Sequence, residues 1–149
     1  MRYRQWFGYL AAILLLAAAC GDDTPAAGLV TIETEIDFSS EPYGGTFEVT
    51  EGADILGCSG GTFVDSPQTN DIKKLLTCTS GSNAGTFTIV FAPGEYDSGP
   101  GDDNGPWSIL EGTDDFTSLE GGGAFWVIYD PNDLPKGVET MTGEIELTS

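Results

Sequence analysis

The chain has no histidine among its 149 residues. That absence removes Ser-His-Asp and Cys-His catalysis, His-ligated zinc and haem, and the side chain that most often acts as a general base near neutral pH. Positive charge is almost as scarce, with five Lys and Arg against 24 Asp and Glu and a net charge of −19. Arg2 and Arg4 sit at the extreme N-terminus. Residues 20–149 therefore hold all 24 carboxylates against Lys73, Lys74 and Lys136, a charge near −21. Such a surface repels nucleic-acid phosphates and anionic lipid headgroups, so neither is expected as a partner. Phosphate-cradling loops are missing too: "SGGTFVDS" and "SGSNAG" lack the lysine and the following helix. No cofactor is expected.

Long apolar runs are limited to one, at residues 6–19 behind the two arginines. Its 14 residues fall short of the roughly 20 that a spanning helix needs. A basic start, an apolar run and then small residues make the layout of a secretory signal peptide. Ala17-Ala18-Ala19 satisfies the small-x-small rule for ordinary cleavage. The same junction resembles the bacterial lipobox, in which leucine and small residues precede a cysteine that receives a diacylglycerol. Here the leucine is Leu16, and Ala17 fills the usual leucine place. We read Cys20 as lipidated; ordinary cleavage would instead leave it a free or intermolecular thiol.

Cysteine is rare as well, with three in the chain. If Cys20 carries lipid, Cys58 and Cys78 remain to pair in an oxidising compartment. Closing a loop of about 20 residues stabilises a fold by roughly 3 kcal/mol on the chain-entropy account. The expected organisation is a signal peptide at 1–19, a lipidated tether at 20–28 and one domain at 29–149. The expected location is the bacterial cell envelope, exported and held to a membrane through Cys20.

No segment carries a sustained helical stripe; residues 70–75 offer one turn at most. What is present is alternation with a period of two. Val30, Ile32, Thr34, Ile36 and Phe38 alternate with Thr31, Glu33, Glu35 and Asp37, the pattern of a half-buried strand. Residues 46–50, 86–91 and 144–148 repeat it, and shorter strands are expected around 55–58, 62–64 and 75–79. Turn signals such as "EPYGG", "EGAD", "APGEYDSGPGDDNGP" and "DPNDLPKG" separate them. Many short strands punctuated in this way predict an all-β sandwich or barrel.

One stretch is more specific. In "GPWSILEGTDDFTSLEGGGAFWVIYD", Trp107 and Ile109 share a face, and Phe116 and Leu119 return apolar bulk to the core. Gly121, Gly122 and Gly123 suit a tight bend or bulge where a Cβ would clash. The segment 124–129 is apolar on both faces and so calls for a cover outside the sheet as well as a core inside. The stretch resembles the pattern G-x-W-x-I-x-x-G-T-G-x-F/Y-x-x-L-x-G-x-G of allene oxide cyclase-like barrels, a superfamily that includes plant cyclases and dirigent proteins. The likeness spans about residues 86–147. Asp114 stands where the pattern has the glycine of G-T-G. The resemblance implies a single small antiparallel β-barrel of about eight strands, to which the cysteine pair adds one disulfide.

The remaining chemistry is carried by carboxylates. Asp97, Asp102, Asp103 and Asn104 share one loop and are the candidate calcium ligands, although their spacing fits no calcium motif and a solvated loop is the expected reading. Phe87, Ile89, Phe91, Trp107, Ile109 and Trp126 either line a cavity for a small apolar ligand or fill the barrel as its core. Three functions follow. The foremost is a non-catalytic envelope binding module for a small apolar ligand. The second is an isomerase or cyclase of the resembled superfamily. The third is a surface module that meets a partner or a second copy through the outer face of residues 124–129.

Overall fold

The computed structural model describes residues 25–39, 41–67, 71–92, 94, 101 and 103–148. Cys20, Asp97 and Asp102 lie outside the described residues. Eight strands run in chain order: β1 (Ala26–Asp37), β2 (Gly44–Glu51), β3 (Cys58–Pro67), β4 (Ile72–Gly81), β5 (Gly85–Phe91), β6 (Asp103–Gly112), β7 (Leu119–Tyr129) and β8 (Lys136–Leu147). Each pairs antiparallel with the next, and β8 returns to β1 to close the barrel. The closing ladder runs from Ala26↔Leu147 to Asp37↔Lys136. The all-β class expected from the alternation is therefore present, as a closed barrel of eight strands, and closure leaves the sheet without an exposed edge.

Each strand buries one face because its apolar residues recur every second position. Val30, Ile32, Thr34 and Ile36 of β1 point inward, as do Phe47 and Val49 of β2 and Leu76 and Cys78 of β4. Cys58 and Cys78 form a disulfide across β3 and β4, 20 residues apart in the chain, with Cα atoms 6.0 Å apart. Ring pairs occupy the lumen: Phe47–Phe87 at 6.3 Å, Phe87–Phe116 at 5.2 Å and Phe91–Phe125 at 4.8 Å between centroids.

Three local expectations are corrected. Residues 55–57 are not a strand, which begins only at Cys58: α1 (Ala53–Leu56) lies between Gly52 and Gly57, both left-handed at φ 75° and 68°, and Leu56 is buried. Where residues 70–75 offered one helical turn at most, the described part from Ile72 is the start of β4, and Lys74 continues the inward alternation of Leu76 and Cys78. The first strand begins at Ala26, inside the stretch assigned to the tether, because Ala26, Ala27 and Gly28 pair with Leu147, Glu146 and Ile145.

The two ends of the barrel differ. One is plugged: α1 and the 3₁₀ turn at Asp114–Phe116 lie there, with Leu56 and Phe116 fully buried. Ala26 and Leu147 are at this same end. At the opposite end, here termed the mouth, β1, β3, β5 and β7 finish. Half-buried Phe38 and Tyr43 meet edge to face there, 5.2 Å between centroids.

The triple glycine marks a close approach of β7 to its neighbouring strands. Gly123 stands opposite both Trp107 of β6 and Gly143 of β8. A Cβ at Gly123 would lie 2.0 Å from the Thr142 carbonyl oxygen. The Trp107 indole Nε1 donates to the Ala124 and Thr142 carbonyls, 3.1 Å each, and fixes this approach. Gly121 adds a φ of 144° that other residues rarely adopt. Asp114, where the resembled pattern has glycine, is left-handed with φ 53°, a conformation aspartate tolerates better than most residues.

Candidate functional site

The apolar residues proposed to line a cavity divide between inside and outside. Phe87, Ile89, Phe91 and Trp107 point inward and belong to the packed core, with Ile109 half-buried against it. Trp126 does not line the lumen. Phe125 and Val127 take the inner face of β7, and Trp126 stands half-buried on the outer one. Both faces of this segment are apolar, so alternation alone does not choose between them. Nor is its outer face covered throughout, since Ile128 is 58% exposed. Of the candidate calcium ligands among the described residues, Asp103 is exposed and accepts a hydrogen bond from the Tyr129 hydroxyl at 2.8 Å. Asn104 is half-buried, and its Oδ1 has no hydrogen-bond partner. Among the described residues, no three His, Cys, Asp or Glu side chains are grouped to hold a metal ion.

The lumen holds something that the strand pattern had not singled out. Lys74 of β4 is fully buried. Its ammonium lies 2.8 Å from Asp65 Oδ1 and 3.3 Å from Glu139 Oε1. Asp65 and Lys74 are neighbours in the β3–β4 ladder, so that contact is local to the sheet. Glu139 comes from β8, four strands away on the other side of the barrel, so the lysine reaches across the lumen. Thr34 of β1, the ladder partner of Glu139, donates its hydroxyl to Glu139 Oε1 at 3.4 Å. The Lys74 Nζ also sits 3.7 Å from the centroid of the Phe63 ring, a cation–π contact.

Hydrogen bonding in this triad is incomplete. Lys74 donates to Asp65 Oδ2 at 3.0 Å, while Oδ1, although close to the ammonium, receives no hydrogen bond. Burial raises the pKa of Glu139, and the Asp65 charge adds to that; Lys74 and the Thr34 hydroxyl oppose it. Asp65 is likewise raised by burial against the pull of Lys74. Two carboxylates share one ammonium, and desolvation disfavours having both ionised.

The sign of the pH dependence follows. A carboxyl whose pKa is raised on folding binds its proton more tightly in the folded chain. Stability is therefore lost as pH rises from the unfolded value, about 4.3 for Glu, through the raised folded value. Between neutral pH and about pH 5, wild type should gain more stability on acidification than Glu139→Gln. Urea midpoints at several pH values read this difference; parallel profiles would contradict it.

A separate cleft of about 780 Å³ opens at the plugged end, with Asp54, Asn83, Asp114 and Asp115 in its lining. Its carboxylates stand at the surface, and Asp115 is occupied as the acceptor of the Ala84 backbone N–H at 2.8 Å. The buried charges are at the other end. A signal for them was present in the sequence: Lys74 lies in phase with Leu76 and Cys78, Asp65 with Phe63, and Glu139 with Met141. A charged residue on the apolar phase of a strand marks a lumenal charge, and three of them require partners. Compared with known proteins, the chain matches no family model, no curated protein and no solved structure.

Proposed function

We propose that the chain is an exported bacterial lipoprotein, anchored through Cys20, whose barrel is a non-catalytic binding module of the cell envelope. Its ligand is a small, largely apolar molecule with a polar group, seated at the mouth. The observation that carries this reading is the Asp65–Lys74–Glu139 triad on the lumenal face. A buried ion triad contributes little to stability compared with apolar residues of similar volume, so its place in a small barrel points to a use. Phe38 and Tyr43 supply apolar surface at the same end, whereas α1 and the 3₁₀ turn close the other. The resemblance to allene oxide cyclase-like barrels, whose lumens hold apolar substrates, favours the same place.

The anchor gives the barrel an orientation. From Cys20 to Ala26 is a reach of at most about 20 Å. The plugged end, where β1 begins, would then lie beside the membrane, with the mouth directed away from it. Native mass spectrometry of the protein extracted gently from its host tests both parts. The expected spectrum shows a diacylglyceryl mass on Cys20 and a small-molecule adduct that is lost on denaturation. An unmodified cysteine would remove the anchor, and a reproducibly bare barrel would remove the ligand.

A second reading rests on a separate observation. Ile128 and Val138, 58% and 43% exposed, are ladder partners on the outer face of β7 and β8, beside half-buried Trp126. An apolar pair of this kind on an acidic surface suits contact with another protein or a second copy.

A further inference from the structure

This inference rests on the reading of the mouth as a binding site. We propose that the mouth takes an organic cation, a protonated amine on an apolar body, whose charge replaces a proton held by the triad.

Charge balance is the first argument. The wall strands β2, β5, β6 and β7 present Phe47, Phe91, Trp107 and Val127 to this part of the lumen, none of them ionisable. From β1 comes Thr34, and among the described residues the buried titratable groups are Asp65, Lys74 and Glu139. With both carboxylates ionised, the triad would carry one uncompensated negative charge. Asp65 and Glu139 are only 7% and 6% exposed, so that charge would be costly. A proton on Glu139 restores neutrality in the empty barrel. A bound ammonium restores it equally well, and the Glu139 proton then leaves for the solvent.

Available acceptors are the second argument. Asp65 Oδ1, on a side chain more than nine-tenths buried, lies 2.8 Å from the Lys74 ammonium but without the alignment of a hydrogen bond, since Lys74 donates to Oδ2. Glu139 Oε1 is reached only at 3.3 and 3.4 Å. A ligand ammonium brings three donors. Aromatic faces of the kind that already meet the Lys74 ammonium, at 3.7 Å for Phe63 and 5.9 Å for Phe91, suit a cationic group.

The rim is the third. Asp37, Glu41, Asp71, Asp103, Asp130 and Asp133 flank the described strand ends at the mouth, against Lys73 and Lys136. Lys136 is itself paired with Asp133 at 2.9 Å. This field draws cations inward and repels carboxylates.

The test is calorimetric titration of the full chain in detergent with three probes of similar size: 2-phenylethylamine, 2-phenylethanol and 3-phenylpropionate. Repeating it near neutral pH in buffers of different ionisation enthalpy counts protons. The amine should bind at least about tenfold more tightly than the alcohol, and the carboxylate should not bind. Binding of the amine should release about one proton. Glu139→Gln, which keeps the shape of the side chain, should weaken the amine by about tenfold and abolish proton release. Preference for the alcohol or the carboxylate, or amine binding without proton release, would overturn the inference and leave the mouth a binding site. If no probe binds but a host-derived adduct is found, the cation falls while the site stands. If there is neither probe binding nor adduct, both fall.

Discussion

Replacing Lys74 with methionine should destabilise the barrel by about 3–5 kcal/mol at neutral pH, the usual cost of removing one member of a buried ion pair. Methionine fills nearly the same volume, so little of that loss is a cavity. It arises because the Lys74 ammonium, 2.8 Å from Asp65 and 3.3 Å from Glu139, is the buried cation that balances the carboxylate charge of the triad, and its removal leaves that charge inside the barrel. Part of the loss should return at low pH, where the carboxylate charge left in the lumen takes up a proton. The companion variant carries Asp65→Val and Glu139→Leu in addition to Lys74→Met, which leaves an apolar lumen. It should recover wild-type stability or exceed it by about 1–4 kcal/mol. Urea unfolding followed by the fluorescence of buried Trp107 reads both effects. A loss below about 1 kcal/mol for the single variant would mean that water reaches the triad. A triple variant as weak as the single one would mean that the triad holds the barrel together.

The second large effect is expected at Gly123→Ala. The added methyl would lie 2.0 Å from the Thr142 oxygen and 2.5 Å from the Gly143 Cα, both backbone atoms that cannot rotate away. Retreat of β7 from β8 would also stretch the two indole hydrogen bonds of Trp107. Overpacking against fixed backbone costs about 3 kcal/mol or more, enough to consume much of a small domain's stability. Gly28→Ala is the control. Its methyl meets the Ile55 Cδ1, the end of a side chain that can change rotamer, and it should cost less than about 1 kcal/mol. Thermal unfolding of the two variants compares them directly. Equal, small losses would show that β7 and β8 can separate at this point without penalty.

How much of this was legible in the chain can be judged residue by residue. The alternation of Val30, Ile32, Thr34 and Ile36 predicted β1 and its buried face. At the glycines 121–123 a Cβ would clash, as expected, although the ladders run through them without a bulge, and Phe116 and Leu119 are core residues as expected. The expected pairing of Cys58 with Cys78 is present. Trp126 was misplaced because its segment is apolar at every position, so no contrast between faces marks the inner one. Residues 55–57 depart from the expected strand because two left-handed glycines, not side-chain alternation, set the backbone there. The triad was overlooked because a lysine on an apolar phase is unfavourable alone, and its partners lie 9 and 65 positions away along the chain.

By itself, then, the sequence determined most of the strands, their turns and an all-β class that could be sandwich or barrel, because a period of two and the φ demands of glycine and proline are local properties. The tertiary structure decided which face of β7 looks inward, through the register that sets Gly123 against Trp107 and Gly143. It also decided that Lys74 is a lumenal charge. A buried ammonium becomes tolerable only where counter-charges converge on it, and that convergence exists only after β8 has closed on β1 and brought Glu139 across from β4.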